Sequence, residues 1–373
     1  MAQAFDGFYA GKRILVTGHT GFKGSWLTAW LRHLGANVIG YALDPPTRPS
    51  HFEACGHARR ITDVRGDVRD WEKVAATIRA DRPDVVFHLA AQPIVRTAYE
   101  NPRETFETNV MGTVNVLEAA RRTPAVQAVV VVTSDKCYRN VGWEFAYREN
   151  DLLGGDEAYS ASKACAELVT AAYQSPGFQA HAAEPRPLPI ASVRAANVVG
   201  GGDWARDRIV PDIVRAITGG TDLVLRYPEA TRPWQHVLDA LSGYLWIAAR
   251  LVARPEGHAG AWNFGPRDER MLTVRELVSG IVDRWPAPRT NVVIRPGPPL
   301  AEQLALRVDS SKANHLLGWW AAWNAGEVLD ALVAWYRRFT PDADLYGFTV
   351  EQIGQYTAAA AARGIDWAAP TRG

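Results

Sequence analysis

One segment, KRILVTGHTGFKGSWL (residues 12–27), constrains this chain more than any other. KRILV is a short apolar run that predicts a strand. A helical pattern follows to Leu34, and Gly35 stands where such a helix should stop. Between strand and helix the glycines fall three apart, at Gly18, Gly21 and Gly24. Each has a physical task. The first permits the tight turn, the second lets backbone N–H groups approach a pyrophosphate, and the third lets helix pack on strand. The N-terminus of the helix then favours negative charge. The spacing alone is a weak signal; a strand before it and a helix after it give it meaning. Gly18, His19, Thr20, Gly21, Phe22, Lys23 and Gly24 are therefore candidate dinucleotide ligands. The plain alternative is a glycine-rich turn that binds nothing.

The same alternation continues. NVIGYAL, DVVFHLA, AVVVVTS and PIASVR read as continuously apolar strands. Helical patterns separate them, including a long helix from about Pro102 to Arg122 and another from about Glu157 to Gln174. Strands without polar alternation, spaced by helices, predict a parallel sheet covered on both faces. The prolines between Ser175 and Pro189 predict a surface loop without helix. After about Gly200 short strands, loops and helices mix. The expected fold is α/β: a Rossmann-type doubly wound parallel sheet over residues 1–195, to which part of the later chain returns, and a smaller, mixed C-terminal substrate domain over 196–373. Asp44, at the end of the second strand, stands 20 residues after Gly24. A carboxylate there holds ribose hydroxyls and repels a 2′-phosphate, which points to NAD over NADP; its alternative is a turn residue before Pro45. Asp67, after the third strand, is a candidate adenine-side contact or a helix N-cap.

Charge narrows the function. With 41 Lys+Arg against 40 Asp+Glu the net charge is +1, which gives no electrostatic footprint for nucleic acid or an anionic membrane. No run approaches the roughly 18 apolar residues of a membrane span. The start, MAQAFDGFYAGK, lacks the pattern of a secretion signal. Cys55, Cys137 and Cys165 are scattered, with no metal spacing and no disulfide framework, so a cytoplasmic protein without a bound metal is expected.

Reactive side chains then cluster. Thr133, Ser134, Asp135 and Lys136 end the strand AVVVV. Tyr159 and Lys163 lie four apart, on one face of the predicted helix. An ammonium beside a phenol lowers its pKa, which would make Tyr159 a base near neutral pH.

With these motifs in place, the chain resembles the extended short-chain dehydrogenases/reductases, and within them the nucleotide-sugar 4,6-dehydratases. The resemblance rests on GHTGFKGSWL, HLAAQPIVR, TFETNVMGTVNVLEA, VTSDKCY, YRENDLLGGDEAYSASKACAE, RAANVVGGGDWARDRIVPD and RPWQHVLDALSGYL, spanning about residues 12–245, and extends through VDSSKANHLLGW (308–319). GGDW, RPWQHV and SDKCY speak for the branch that uses CDP-glucose. The resemblance implies a tightly bound catalytic NAD and a homodimer or homotetramer built through the two long helices. It places Val68 with Asp67 on the adenine side, and Leu89, Ala90, Ala91, Gln92, Asn109, Thr133, Tyr159 and Lys163 on the nicotinamide side. It assigns the substrate to Gln92, Asn197, Arg208, Ile209, Arg232, Gln235 and His236. Arg232 suits a pyrophosphate, since a guanidinium binds phosphate bidentately.

The implied reaction oxidises the sugar 4-hydroxyl with Tyr159, Ser134 and Lys163, eliminates water across carbons 5 and 6, and returns hydride to carbon 6. Asp135 is the acid for the leaving hydroxyl. The dTDP-glucose branch carries Asp-Glu where this chain has Asp135-Lys136, so Lys136 is read as proton acceptor, enolate stabiliser or ligand clamp. Relatives carry His-Glu-Ala where this chain has Ala301-Glu302-Gln303, and no sugar contact is assigned to Glu302. Competing readings are a dehydratase for dTDP-glucose or GDP-mannose, a 4-epimerase, and an NAD-binding regulator without catalysis. An epimerase needs no acid at Asp135, and a regulator is expected to lose Tyr159 or Lys163.

Overall fold

The computed structural model describes residues 4–180, 186–268, 271–286, 290–295 and 306–369. The Ala301-Glu302-Gln303 segment lies outside them. Strands β1 (Arg13–Thr17), β2 (Asn37–Ala42), β3 (Thr62–Arg65), β4 (Val85–His88), β5 (Ala128–Val132) and β6 (Ile190–Ala195) alternate with helices α1 (Phe22–His33), α2 (His51–Ala54), α3 (Trp71–Asp81), α4 (Val95–Glu100), α5 (Pro102–Phe106), α6 (Gly112–Arg121) and α7 (Ala158–Gln174). Beyond them come α8 (Pro176–Ala180), β7 (Asn197–Val199), α9 (Ile209–Gly219), β8 (Leu223–Leu225), β9 (Thr231–Arg232), β10 (Trp234–His236), α10 (Val237–Ala253) and β11 (Gly260–Phe264). The chain closes with β12 (Leu272–Thr273), α11 (Val274–Arg284), β13 (Val292–Ile294), α12 (Ser311–Leu317), α13 (Ala325–Arg338) and α14 (Tyr346–Ala362).

Seven strands form one sheet in the order β11-β6-β5-β4-β1-β2-β3, every pairing parallel. The five residues of β5 are all buried, as a strand covered on both faces must be. From β1 the chain winds outward through β2 and β3, then crosses back to β4. The carboxyl ends of β1 and β4 therefore flank the switch point, where ligands of doubly wound sheets bind. β11 and α10 come from far along the chain yet belong to this layer: β11 pairs with β6, and α10 packs on β5 and β6. One apolar core joins β1, β4, β5, α1, α10 and α13.

Two expected elements differ. The long helix expected over 102–122 is helical from Pro102 to Arg121, but a π turn over Glu107–Met111 shifts its register between α5 and α6. The cause is Asn109, whose side chain reaches out of the helix to bond the backbone of Gln92 and Ser162 Oγ. In the stretch expected to be loop, Pro176 opens the short helix α8; proline is tolerated in a first turn, where its missing N–H has no partner to lose.

No helix among the described residues is long and apolar enough to cross a membrane.

Candidate active site

The glycine loop forms a cradle in which side chains have no room. Gly18 is left-handed (φ +75°), and a Cβ there would lie 2.7 Å from Ala90 N. A Cβ on Gly24 would lie 2.2 Å from Gly18 O. Gly21 is the N-cap of α1 and has no side chain with which to cap it, so the first-turn N–H groups face the cleft end of the helix. Thr20 fixes the loop to the end of β2 through Leu43 O at 3.0 Å. A bare, positively polarised loop at the sheet's switch point suits a dinucleotide pyrophosphate, and the residues present fit NAD. Asp44 is at the rim, its side chain 88% exposed with Arg65 3.8 Å away. Asp67 closes a turn onto Arg69 N and the Arg69 guanidinium. The N-cap of α3 is Asp70, not Asp67.

Several expected ligands are turned elsewhere. His19 is fully buried beneath β2: its Nε2 is 2.9 Å from Asp63, and a Cβ on Gly40 would strike its ring. Val68 is in the core, against Gly112. Thr133 Oγ1 donates to Glu167, inside a buried network with Ser192 and Arg194. The Gln92 side chain is held by Thr105 and Ile94 N. Asn109 is saturated by Gln92 and Ser162, so it positions the loop after β4. Ala90 N in that loop donates to Thr17 Oγ1. These residues hold the walls of the cleft.

The reactive group is assembled by β5 and α7. β5 ends at Val132, and the 3-10 turn Asp135–Cys137 follows, with Ser134 as its N-cap. Ser134 Oγ bonds Asp135 Oδ1 at 3.0 Å and accepts from Lys136 N at 3.2 Å. Glu157 caps α7 by accepting from Tyr159 N and Ser160 N. The first turn of α7 thus carries Tyr159, and the next carries Lys163, whose Nζ donates to Val132 O at 3.3 Å.

Burial dominates the electrostatics. It pushes Tyr159 up to about 12, against a hydrogen bond with Ser134 that acts downward. The expected lowering by Lys163 is therefore not what the protein alone produces: desolvation of the phenolate sets the direction, and the downward influences come from Ser134 and Arg208. Burial also pulls Lys163 down to about 8. Asp135 is raised by burial, although Lys136, Ser134 and Lys23 act in the opposite direction. Lys23 is pulled to about 7 by burial and by Arg208 and Lys163, with Asp135 and Asp203 opposing. The loop lysine therefore shares one electrostatic site with the catalytic candidates. Tyr244 on α10 was not singled out in the sequence. Its hydroxyl is buried, has no hydrogen-bond partner among the described residues, and feels Asp135 and Tyr159. A tyrosine on the inward face of a helix that crosses β5 was the available signal.

On the substrate side, Asn197 opens β7, and Arg208 precedes Ile209 at the start of α9 with its guanidinium 3.1 Å from Asp203. Arg232 lies half-buried in β9 and donates to Thr231 O. Gln235 and His236 lie at the end of β10. Both are fully buried: Gln235 donates to Phe264 O, and His236 caps α10 between the rings of Trp26 and Trp323.

Comparison with known proteins follows the same line. The NAD dependent epimerase/dehydratase family matches residues 14–265. A CDP-glucose 4,6-dehydratase of Salmonella typhimurium is 46% identical over 356 residues, covering 94% of this chain and 98% of the relative. A dTDP-glucose 4,6-dehydratase of Xanthomonas campestris is 26% identical, covering 86% and 92%. Among solved structures, a dTDP-glucose 4,6-dehydratase of Streptomyces venezuelae with NAD bound superposes with a TM-score of 0.72 at 26% identity, covering 87% of this chain and 97% of that one.

Proposed function

The chain belongs to the NAD dependent epimerase/dehydratase family, and from that premise we propose that it acts as a CDP-glucose 4,6-dehydratase, converting CDP-glucose to CDP-4-dehydro-6-deoxyglucose and water. The observation that carries this reading is Asp135. It is a buried carboxyl with a raised pKa, bonded to the same Ser134 that hydrogen-bonds Tyr159. Oxidation at one carbon needs a Tyr-Ser-Lys set only; loss of a hydroxyl needs an acid as well. The 46% identity to the Salmonella enzyme supports CDP-glucose over other nucleotide sugars.

Gly18 to Gly24, Asp44 and Lys163 would hold NAD. NAD held there would supply a hydride acceptor for one sugar carbon and, once reduced, a hydride donor for another, so the reaction would have no net redox change. Tyr159 Oη takes the proton of the sugar 4-hydroxyl, with Ser134 Oγ orienting it. A 4-ketone makes the neighbouring C5–H acidic, and Lys136 faces the same turn as proton acceptor or as partner for the enolate charge. Asp135 gives its proton to the departing 6-hydroxyl. Arg208 and Arg232 grip the diphosphate. Phe106, Met111 and Leu168 are exposed on the helices expected to form a homodimer, which supports that assembly.

The test is incubation of the purified protein with CDP-glucose, dTDP-glucose and GDP-mannose without added NAD. Mass loss of one water and alkaline absorbance of the 4-keto sugar are expected with CDP-glucose. No dehydration of any of them sinks the dehydratase reading, and dehydration of dTDP-glucose alone sinks the substrate.

A further inference from the structure

Behind the glycine loop lie three side chains that the dehydration does not use. His51, Cys55 and His57 are fully buried, and their ligand atoms all lie within 4.8 Å of one another. His51 and Cys55 are four apart across α2, so they share a face. Gly56 then turns the backbone left-handed (φ +56°), which folds His57 back toward them.

The geometry is that of a site for a soft cation. Cys55 Sγ is 3.6 Å from His51 Nε2. Two ligands at about 2.3 Å (S) and about 2.0 Å (N) on a tetrahedral ion stand roughly 3.5 Å apart. The other His51 nitrogen, Nδ1, is 2.6 Å from Ser25 Oγ. With the proton on Nδ1 donated to Ser25, Nε2 is the nitrogen left to ligate; it stands 3.3 Å from Thr349 Oγ1, and the thiol is also 3.8 Å from Nδ1, while a hydrogen bond on the far nitrogen is the outer-shell contact that orients metal-bound imidazoles. The ring is held between Trp26 and Trp335, at centroid distances of 4.7 and 5.4 Å. His57 supplies a separate observation: both of its ring nitrogens are buried without a hydrogen-bond partner among the described residues. A core imidazole with neither nitrogen satisfied calls for an explanation, and a cation bound by one of them is such an explanation.

We propose that His51, Cys55 and His57 form a binding site for a thiophilic d10 cation, Cu⁺ or Zn²⁺. Binding releases the thiol proton to solvent and leaves one thiolate and two neutral imidazoles. Cu⁺ neutralises that set, whereas Zn²⁺ leaves a buried positive charge, so the charge balance favours Cu⁺. The ion ties the 50–59 segment to α1 through Ser25 and to α14 through Thr349, whose Oγ1 is 3.4 Å from Cys55 Sγ. Phe52, between the ligands, packs on His19 of the glycine loop, with ring centroids 5.3 Å apart. The site thus braces the floor beneath the dinucleotide.

The full-length protein, reduced and anaerobic, is titrated with Cu⁺ and separately with Zn²⁺, each against a chromophoric chelator. One equivalent should be retained, and X-ray absorption should show one sulfur with nitrogen ligands. Cys55→Ser and His57→Gln should each weaken retention at least as much as loss of an outer-shell partner does, about 10–100-fold, while Cys165→Ser should leave it unchanged. Circular dichroism reports whether each variant is folded, and absorption on the unmodified protein stands without them. Zn²⁺ retained on the same ligands upholds the site and overturns the preference for Cu⁺. No retained equivalent of either ion, a first shell without sulfur, or folded variants that bind like the parent overturns the site.

Discussion

Asp135 and Lys136 sit side by side, but only the carboxyl is fully buried; the lysine is half-buried. Asp135→Asn removes the proton donor and keeps the size. Elimination should slow by about 10²–10⁴-fold, the range of general acid catalysis, and reduced cofactor should build up at 340 nm, roughly the absorbance of the dihydronicotinamide ring. Equal slowing of oxidation and elimination would remove Asp135 from its role. Lys163 sets a pH limit. Its ammonium is present below about 8 and lost above it, so kcat/KM, which reports the free enzyme, should fall on the alkaline side near that value. Lys163→Arg should move the fall to higher pH at a lower rate. At this scale the sequence was legible where chemistry needs adjacency: Ser134 with Asp135, Tyr159 with Lys163. It does not show how deeply a side chain lies. His19, Gln235 and His236 are polar residues beside the cleft in sequence, yet all three are fully buried. The proposed cation site follows the pattern His-x-x-x-Cys-x-His over residues 51–57, which the spacing of the cysteines alone does not display.

Caps and a register fault position the reactive groups within their elements. Glu157 Oε2 accepts from Tyr159 N at 2.6 Å, and Oε1 accepts from Ser160 N at 2.8 Å. Glu157→Ala should cost about 1 kcal/mol of stability, read in urea unfolding, and should lower kcat more than Glu157→Gln does, since the frayed turn carries Tyr159. The π turn over Glu107–Met111 does comparable work for the loop after β4. A π turn inserts one residue into the helical register, and Asn109 uses the offset to reach Gln92 and Ser162. Asn109→Ala strands those buried partners and should cost about 1–3 kcal/mol, measured the same way. Propensity and periodicity read this stretch as continuous helix because both are blind to a single side chain that leaves the ladder for a tertiary partner.

In the whole molecule, the buried Glu167–Arg194 pair, 2.8 Å apart and each side chain 3% exposed, ties α7 to β6. Burial alone would raise the Glu167 pKa; hydrogen bonds from Arg194, Thr133 and Ser192 outweigh it and hold the carboxyl below its ordinary 4.5. Its contribution is therefore complete above that value and drains away as pH falls below it. Glu167→Gln leaves Arg194 uncompensated and should cost about 3–5 kcal/mol, with a weaker acid dependence of unfolding than the parent. The parallel sheet was legible because strands buried on both faces show unbroken apolar runs. The pair was not, because Glu167 and Arg194 are distant in sequence and only the packing of α7 on β6 brings them together. The edge strand β11 carries a further consequence. It enters the sheet from residues 260–264, long after β6 at 190–195, and α10, which covers β5 and β6, also comes later. A chain cut at 195 exposes the flank of β6 and the apolar face that α10 hides, an invitation to edge-to-edge association. On the ribosome the same order holds. The cleft walls wait for residue 264, and a nascent chain shorter than that must keep the unpaired edge of β6 out of contact with its neighbours.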